Sequence, residues 1–309
     1  MAGFKVWLKA ARLRTLPLSL SGIIVGSAIA YTNGIFNSAI CGLALLTTLF
    51  FQVLSNFAND LGDAQKGADN EGRIGPERAI QSGAISIKQM KNAVVLTSIA
   101  SLISAASLIA VSASGKGLSF WVFYLALAAL CVLAAVMYTV GKRAYGYHGL
   151  GDVFVFIFFG LVSVIGVYHL YPENISLATF EWKLLFPATT IGALSMAVLN
   201  LNNMRDREND QKVGKNTLVV KLGKEGAKVY HTVIILSAVV SMIAYILLFQ
   251  PGNYFFISLA IPFLVLLVHL KKVRRIDNER EFDPFLKTVA LTTFLLSLLF
   301  TLSCVLYHV

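Results

Sequence analysis

The amino-acid sequence predicts an all-α, polytopic membrane protein of nine transmembrane helices in a single domain, residues 1–309. Three observations carry that expectation. The first is composition: 57% of the residues are hydrophobic, 14% are charged, and mean hydropathy is +0.72. A soluble domain carries about 25% charged and about 45–50% apolar residues, so an ordinary soluble enzyme and a disordered chain are both excluded. The second is that apolar residues come in continuous runs of about 20, the length that crosses a bilayer. Strict alternation is absent, which excludes a lipid-facing barrel. The third is charge sorting. With the N-terminus inside, 24 of the 26 Lys and Arg fall on the cytoplasmic side, and only Lys116 and Lys183 fall outside, as the positive-inside rule requires.

The runs lie at 16–32, 38–59, 90–112, 118–140, 151–170, 184–204, 229–249, 254–270 and 285–307. Pro17, Pro187 and Pro284 sit near helix starts, where a missing N–H costs little. Pro262 falls inside the eighth run and predicts a kink. Residues 3–14 read as an amphipathic helix on the membrane surface. Lys5, Lys9, Arg12 and Arg14 before a run ending Ala28-Ile29-Ala30 have the look of a signal peptide, but the same stretch supplies the first span. A net charge of +10 is the signature of cytoplasmic loops here rather than of nucleic-acid binding. Cys41, Cys131 and Cys304 lie far apart in apolar runs and read as core residues. The histidines at 148, 169, 231, 269 and 308 form no cluster in sequence and carry no assigned chemistry.

The acids point to a site. Of the 16 acidic residues, only Glu173 and Glu181 fall outside, a concentration that solubility does not require. Two cytoplasmic segments repeat one pattern: Asn56, Asp60, Asp63 and Gly67, then Asn202, Asp206, Asp210 and Gly214. Residues four and seven or eight apart share a helix face, so each set points one way, with Asn59 and Asn203 beside it. A matched motif in each of two weakly repeated halves suggests one site made from both. Clustered carboxylates repel unless cations bind between them. Oxygen ligands at this density suit Mg²⁺. Arg73, Arg78, Lys142, Arg143, Arg205 and Lys215 lie in the same layer. Carboxylates with Mg²⁺ and a basic surround suit a diphosphate, and in a membrane a lipid diphosphate. Two alternatives stay open at this point. One is a pair of solvated helix ends; the other is a cation-coupled transporter, whose acids belong near the midplane.

The segments NFANDLGDAQKGAD (56–69) and LNNMRDRENDQKVGKNTLVVKLG (201–223), with Tyr138-x3-Lys142-Arg143, resemble the UbiA superfamily of intramembrane prenyltransferases over essentially the whole chain. The resemblance implies nine helices around a central cavity. Arg73 to Gly83, Gly149 to Asp152, Gly214 to Leu218 and Arg14-Thr15-Leu16-Pro17 resemble the branch that prenylates 1,4-dihydroxy-2-naphthoate. That branch implies transfer from a polyprenyl diphosphate with loss of CO₂ and diphosphate, in menaquinone biosynthesis at the bacterial cytoplasmic membrane. Another aromatic acceptor, such as 4-hydroxybenzoate, is the nearest alternative. The implied metal ligands are Asn56, Asn59, Asp60, Asp63, Asn202, Asp206 and Asp210. The implied catalytic groups are the four aspartates with Tyr138 and Lys142, and the implied substrate-binding groups are Arg14, Arg78, Tyr138, Lys142, Arg143 and Lys215. The chain departs from many relatives at Gly67, where a third Asp is expected; Asp69 is nearby but out of register.

Overall fold

A computed structural model describes residues 3–172 and 180–308; Glu173, expected outside, lies beyond the described residues. All regular structure among them is helical. The helices are α1 (Phe4–Ala11), α2 (Leu16–Thr32), α3 (Ser38–Gln65), α4 (Ile87–Ser112), α5 (Leu118–Met137), α6 (Gly151–Gly166), α7 (Leu185–Lys212), α8 (Leu218–Phe249), α9 (Ala260–Val273) and α10 (Asp283–His308). Each of the nine predicted runs falls on one helix, α2 to α10. Eight of these helical segments are long and apolar enough to cross a membrane, and α6 is shorter. The predicted amphipathic segment forms α1, which leaves Phe4 and Leu8 exposed.

Hydropathy misjudges where two helices end. α3 runs to Gln65 and α7 to Lys212, past the predicted 59 and 204. Their polar last turns stay helical because the polar side chains face inward: Asp60, Asp63, Asp206 and Asp210 are all buried. Pro262 does not kink a helix midway. It sits in the first turn of α9, after a 3₁₀ stretch at Tyr254–Leu259, where the missing N–H has no helical partner to lose. α8 starts earlier than predicted and bends at Gly223, whose φ is +71°.

α2 and α7 are the most enclosed spans. Large apolar side chains of α4, α5, α8 and α9 point outward, including Ile103, Phe123, Val240 and Leu264, which suits contact with lipid tails. α6 is wound as a π-helix over Phe156–Gly166 and wedges against α7 where Gly160 meets Gly192. A Cβ on Gly160 would lie 2.7 Å from the Ala188 carbonyl oxygen. α2 and α10 are neighbours and run parallel, since the rings of Tyr31 and His308 at their far ends lie 6.5 Å apart. The histidines are not all separate. His231 of α8 and His269 of α9 are buried with their Nε2 atoms 2.9 Å apart, a polar clasp between two spans that linear sequence hides across 38 positions.

Candidate active site

The two repeated motifs end their helices in the same way. In α3 the Gly67 N–H donates to the Ala64 carbonyl at 3.3 Å and the Ala68 N–H to that of Asp63 at 2.9 Å. In α7 the Gly214 N–H donates to Gln211 at 3.3 Å and the Lys215 N–H to Asp210 at 2.8 Å. Both glycines are left-handed, at φ +71° and +72°, which completes a matched pair of Schellman stops. Gly67 thus serves as a helix stop, a role that a third Asp would fill only under strain.

These stops bring the acidic ends together. Asn209 Nδ2 donates to the Ala68 carbonyl at 3.0 Å. Lys215 Nζ lies 3.8 Å from Asp63 and 3.7 Å from Asp210. Arg73 bridges Asp69 at 3.4 Å and Asp206 at 3.9 Å. Asp60 pairs with both Arg12 and Arg78, and Asp63 accepts from the Tyr147 hydroxyl at 2.9 Å. Arg205 holds Asp206 at 2.8 Å, Asn202 Oδ1 at 2.8 Å and Asp283 at 2.5 Å.

Six carboxylates (Asp60, Asp63, Asp69, Asp206, Asp210, Asp283) therefore face five cations (Arg12, Arg73, Arg78, Arg205, Lys215). The cluster is close to neutral, so a diphosphate entering alone would leave a large uncompensated negative charge. Burial, with Asp63 close by, pushes the Asp69 carboxyl up to about 7, while Arg73 pulls the other way. Burial lowers Arg78 to about 10, so it stays cationic at neutral pH. Burial works against charging Lys215, but Asp63 and Asp210 outweigh it and raise its pKa.

The orphaned oxygens of the cluster suit a divalent cation, although among the described residues no three His, Cys, Asp or Glu side chains are gathered closely enough to hold one by themselves. Among the described residues, Asn59 Oδ1, both Asp69 carboxylate oxygens and Asp210 Oδ2 are buried without a hydrogen-bond donor. Buried acceptors are costly to leave unmet, and oxygens of this kind are what Mg²⁺ binds. Asn59, Asp60, Asp63, Asn202, Asp206 and Asp210 all line one cavity of about 1170 Å³. From the acids it runs between apolar walls toward the opposite ends of the spans, reaching Ala44, Leu108 and Leu170.

The predicted residues do not all converge. Arg14, Arg78, Tyr138 and Lys215 line the cavity. Asn56 does not: its Nδ2 donates to the Ala11 carbonyl at 2.8 Å and ties α1 to α3. Lys142 and Arg143 are exposed and lie off the cavity. Their expected place came from the resemblance and its Tyr-x3-Lys element, but α5 stops at Met137. The chain turns there, with Thr139 Oγ1 donating to the Ala58 carbonyl at 2.9 Å and the Gly146 N–H to that of Tyr138 at 3.0 Å. Tyr138 keeps its inward aim, and its ring meets Tyr145 edge-on at 5.4 Å. Arg12, Asp69, Tyr147 and Asp283 join the cluster unforeseen. Asp69 was visible in sequence, but a helical register placed it wrongly because the helix had already ended.

Residues 19–299 match the UbiA prenyltransferase family. The chain is 42% identical to a 1,4-dihydroxy-2-naphthoate octaprenyltransferase of Haemophilus influenzae over 303 residues, covering 96% of this chain and 95% of the relative. It is 40% identical to the enzyme of the same description from Escherichia coli K12, covering 96% and 94%. A solved UbiA homologue from Archaeoglobus fulgidus, bound to DMAPP and Mg²⁺, shares the fold with a TM-score of 0.62 at 17% identity, covering 95% of this chain and 97% of the other.

Proposed function

The chain belongs to the UbiA prenyltransferase family, and from that premise we propose that it is an integral membrane enzyme that transfers a polyprenyl chain from polyprenyl diphosphate to 1,4-dihydroxy-2-naphthoate. Two close relatives described as 1,4-dihydroxy-2-naphthoate octaprenyltransferases, similar over nearly their full lengths, support that acceptor. The products are the prenylated naphthoquinol (demethylmenaquinol), CO₂ and diphosphate. The observation that carries the chemistry is the meeting of the α3 and α7 acidic ends, with donor-poor oxygens, over an apolar-walled cavity.

Asn59, Asp60, Asp63, Asn202, Asp206 and Asp210 would hold divalent cations, Mg²⁺ as the oxygen donors suggest. Bound there, the ions supply positive charge to the leaving diphosphate. Arg78 and Lys215 are placed to take up the charge that grows on the diphosphate as the allylic C–O bond breaks. Arg12, now on Asp60, is within reach to do the same. Tyr138, at the neck between the acids and the apolar walls, is positioned to face the allylic carbon. Those walls exclude water from the cation, which water would quench. The naphthoate ring carbon then bonds to the prenyl carbon. The ring's bond to its carboxylate breaks, its electron pair returns to the ring, and CO₂ leaves. The cytoplasmic side is the proposed location of the site and of the N-terminus, because the Lys and Arg excess lies at that end.

The purified protein in lipid nanodiscs, given octaprenyl diphosphate and the naphthoate, is expected to yield a product whose mass shows addition of the chain and loss of CO₂. Prenylation of 4-hydroxybenzoate with none of the naphthoate would replace this acceptor assignment by the other.

A further inference from the structure

Every cation of the acidic cluster has a carboxylate partner, yet Arg14 and Lys287 line the same cavity and, among the described residues, form no ion pair or hydrogen bond. Lys9 lines it too, but from the surface helix α1. Arg14 lies two residues before the start of α2, and Lys287 is in the second turn of α10. Those helices are parallel neighbours, so both cations sit at the same end of the bundle as the acids. Lys287 follows Asp283 by one helical turn, about 6 Å along the axis, and Asp283 is tied to the cluster by Arg205 at 2.5 Å. Near the two cations in sequence, Pro17 and Leu18 of α2 and Leu286 and Leu291 of α10 also line the cavity.

Two cations and neighbouring apolar side chains of α2 and α10 thus share the cavity wall, with Lys287 one helical turn from Asp283 of the acidic cluster. We propose that Arg14 and Lys287 hold the carboxylate of the aromatic acceptor, an inference that rests on the prenyltransferase reading above. The diphosphate meets the cations already paired within the cluster. The second substrate is also an anion, and these two side chains are the cavity cations left uncompensated on the α2 and α10 wall. An Arg and a Lys together can grip both carboxylate oxygens. The apolar residues beside them would pack the two fused rings and present the ring carbon toward the cluster.

Steady-state kinetics on Arg14→Gln, Lys287→Gln and the double variant test this, with each substrate varied in turn. Both side chains reach the surface at the cavity mouth, so folding is expected to survive. The KM for the naphthoate is expected to rise about tenfold in each single variant, the loss that one charged hydrogen bond typically brings. The KM for prenyl diphosphate should stay within about twofold, and Lys287→Arg should restore most of the acceptor affinity. An acceptor without the carboxylate, 1,4-dihydroxynaphthalene, should show no change between wild type and variants. A rise confined to the prenyl diphosphate KM, or an unchanged naphthoate KM, overturns the assignment. If the wild type instead prenylates a different aromatic acid, the functional reading alone fails, and the KM of that acid in the same variants then decides on the carboxylate site.

Discussion

At the scale of single residues, the divalent-cation assignment rests on buried oxygens that, among the described residues, accept no hydrogen bond. Asp210 carries one such oxygen, and among the described residues its one ion-pair partner is Lys215 at 3.7 Å. Asp210→Asn keeps the shape and removes a charge from the proposed ligand set, so kcat is expected to fall about 100-fold or more while the protein still extracts folded in detergent. Wild-type turnover would remove Asp210 from the chemistry. The Tyr-x3-Lys element separates into two parts with opposite expectations. Tyr138 lines the cavity, whereas Lys142 is exposed beyond the end of α5. Lys142→Ala should leave kcat/KM within about twofold, the scale of surface substitutions; a loss of tenfold or more would put Lys142 back at the substrate. Linear spacing could not separate the two, because it presumes a helix that the turn at Thr139 interrupts.

At the scale of elements, the repeated Gly matters as much as the repeated Asp. Gly67 and Gly214 terminate α3 and α7 in the left-handed region and aim Ala68 and Lys215 back toward the last acidic turn. An alanine at either site costs about 1–2 kcal/mol of backbone strain. Gly214→Ala should therefore lower the thermal midpoint and also raise the KM for prenyl diphosphate, because it displaces Lys215. Lower stability with unchanged KM would show that the stop is structural only. Much at this level was legible in advance. The i, i+4, i+7 or i+8 spacing placed the four aspartates and Asn202 on the cavity, while Asn56 bonds to the Ala11 carbonyl instead, and all nine runs found their helices. What hydropathy could not give was how far α3 and α7 continue. Burial of Asp60, Asp63, Asp206 and Asp210 depends on partners such as Arg12, Arg78 and Arg205 that lie elsewhere in the chain.

At the scale of the whole molecule, the fold joins two unlike environments in one cavity. At one end six carboxylates and five cations nearly cancel; beyond them the walls are apolar as far as Leu170. The near-neutral end leaves the charge of a diphosphate uncompensated, which the proposed divalent cations would offset, and the apolar remainder can take a hydrocarbon tail. Sequence alone reached the pairing of the halves through their repeat. It did not reach Asn209 on Ala68, Arg73 across to Asp206, or the His231–His269 clasp, since each is a contact between distant segments. The central claim is that the α3 and α7 ends hold one diphosphate jointly through divalent cations. Equilibrium binding of a non-ionising prenyl thiolodiphosphate, with Mg²⁺ or with EDTA, measures this directly in the wild type, Asp60→Asn, Asp206→Asn and the double variant. The account predicts tight binding only with Mg²⁺, and nearly the same loss in either single variant as in the double; binding that persists in EDTA, or that ignores one of the two motifs, would contradict it.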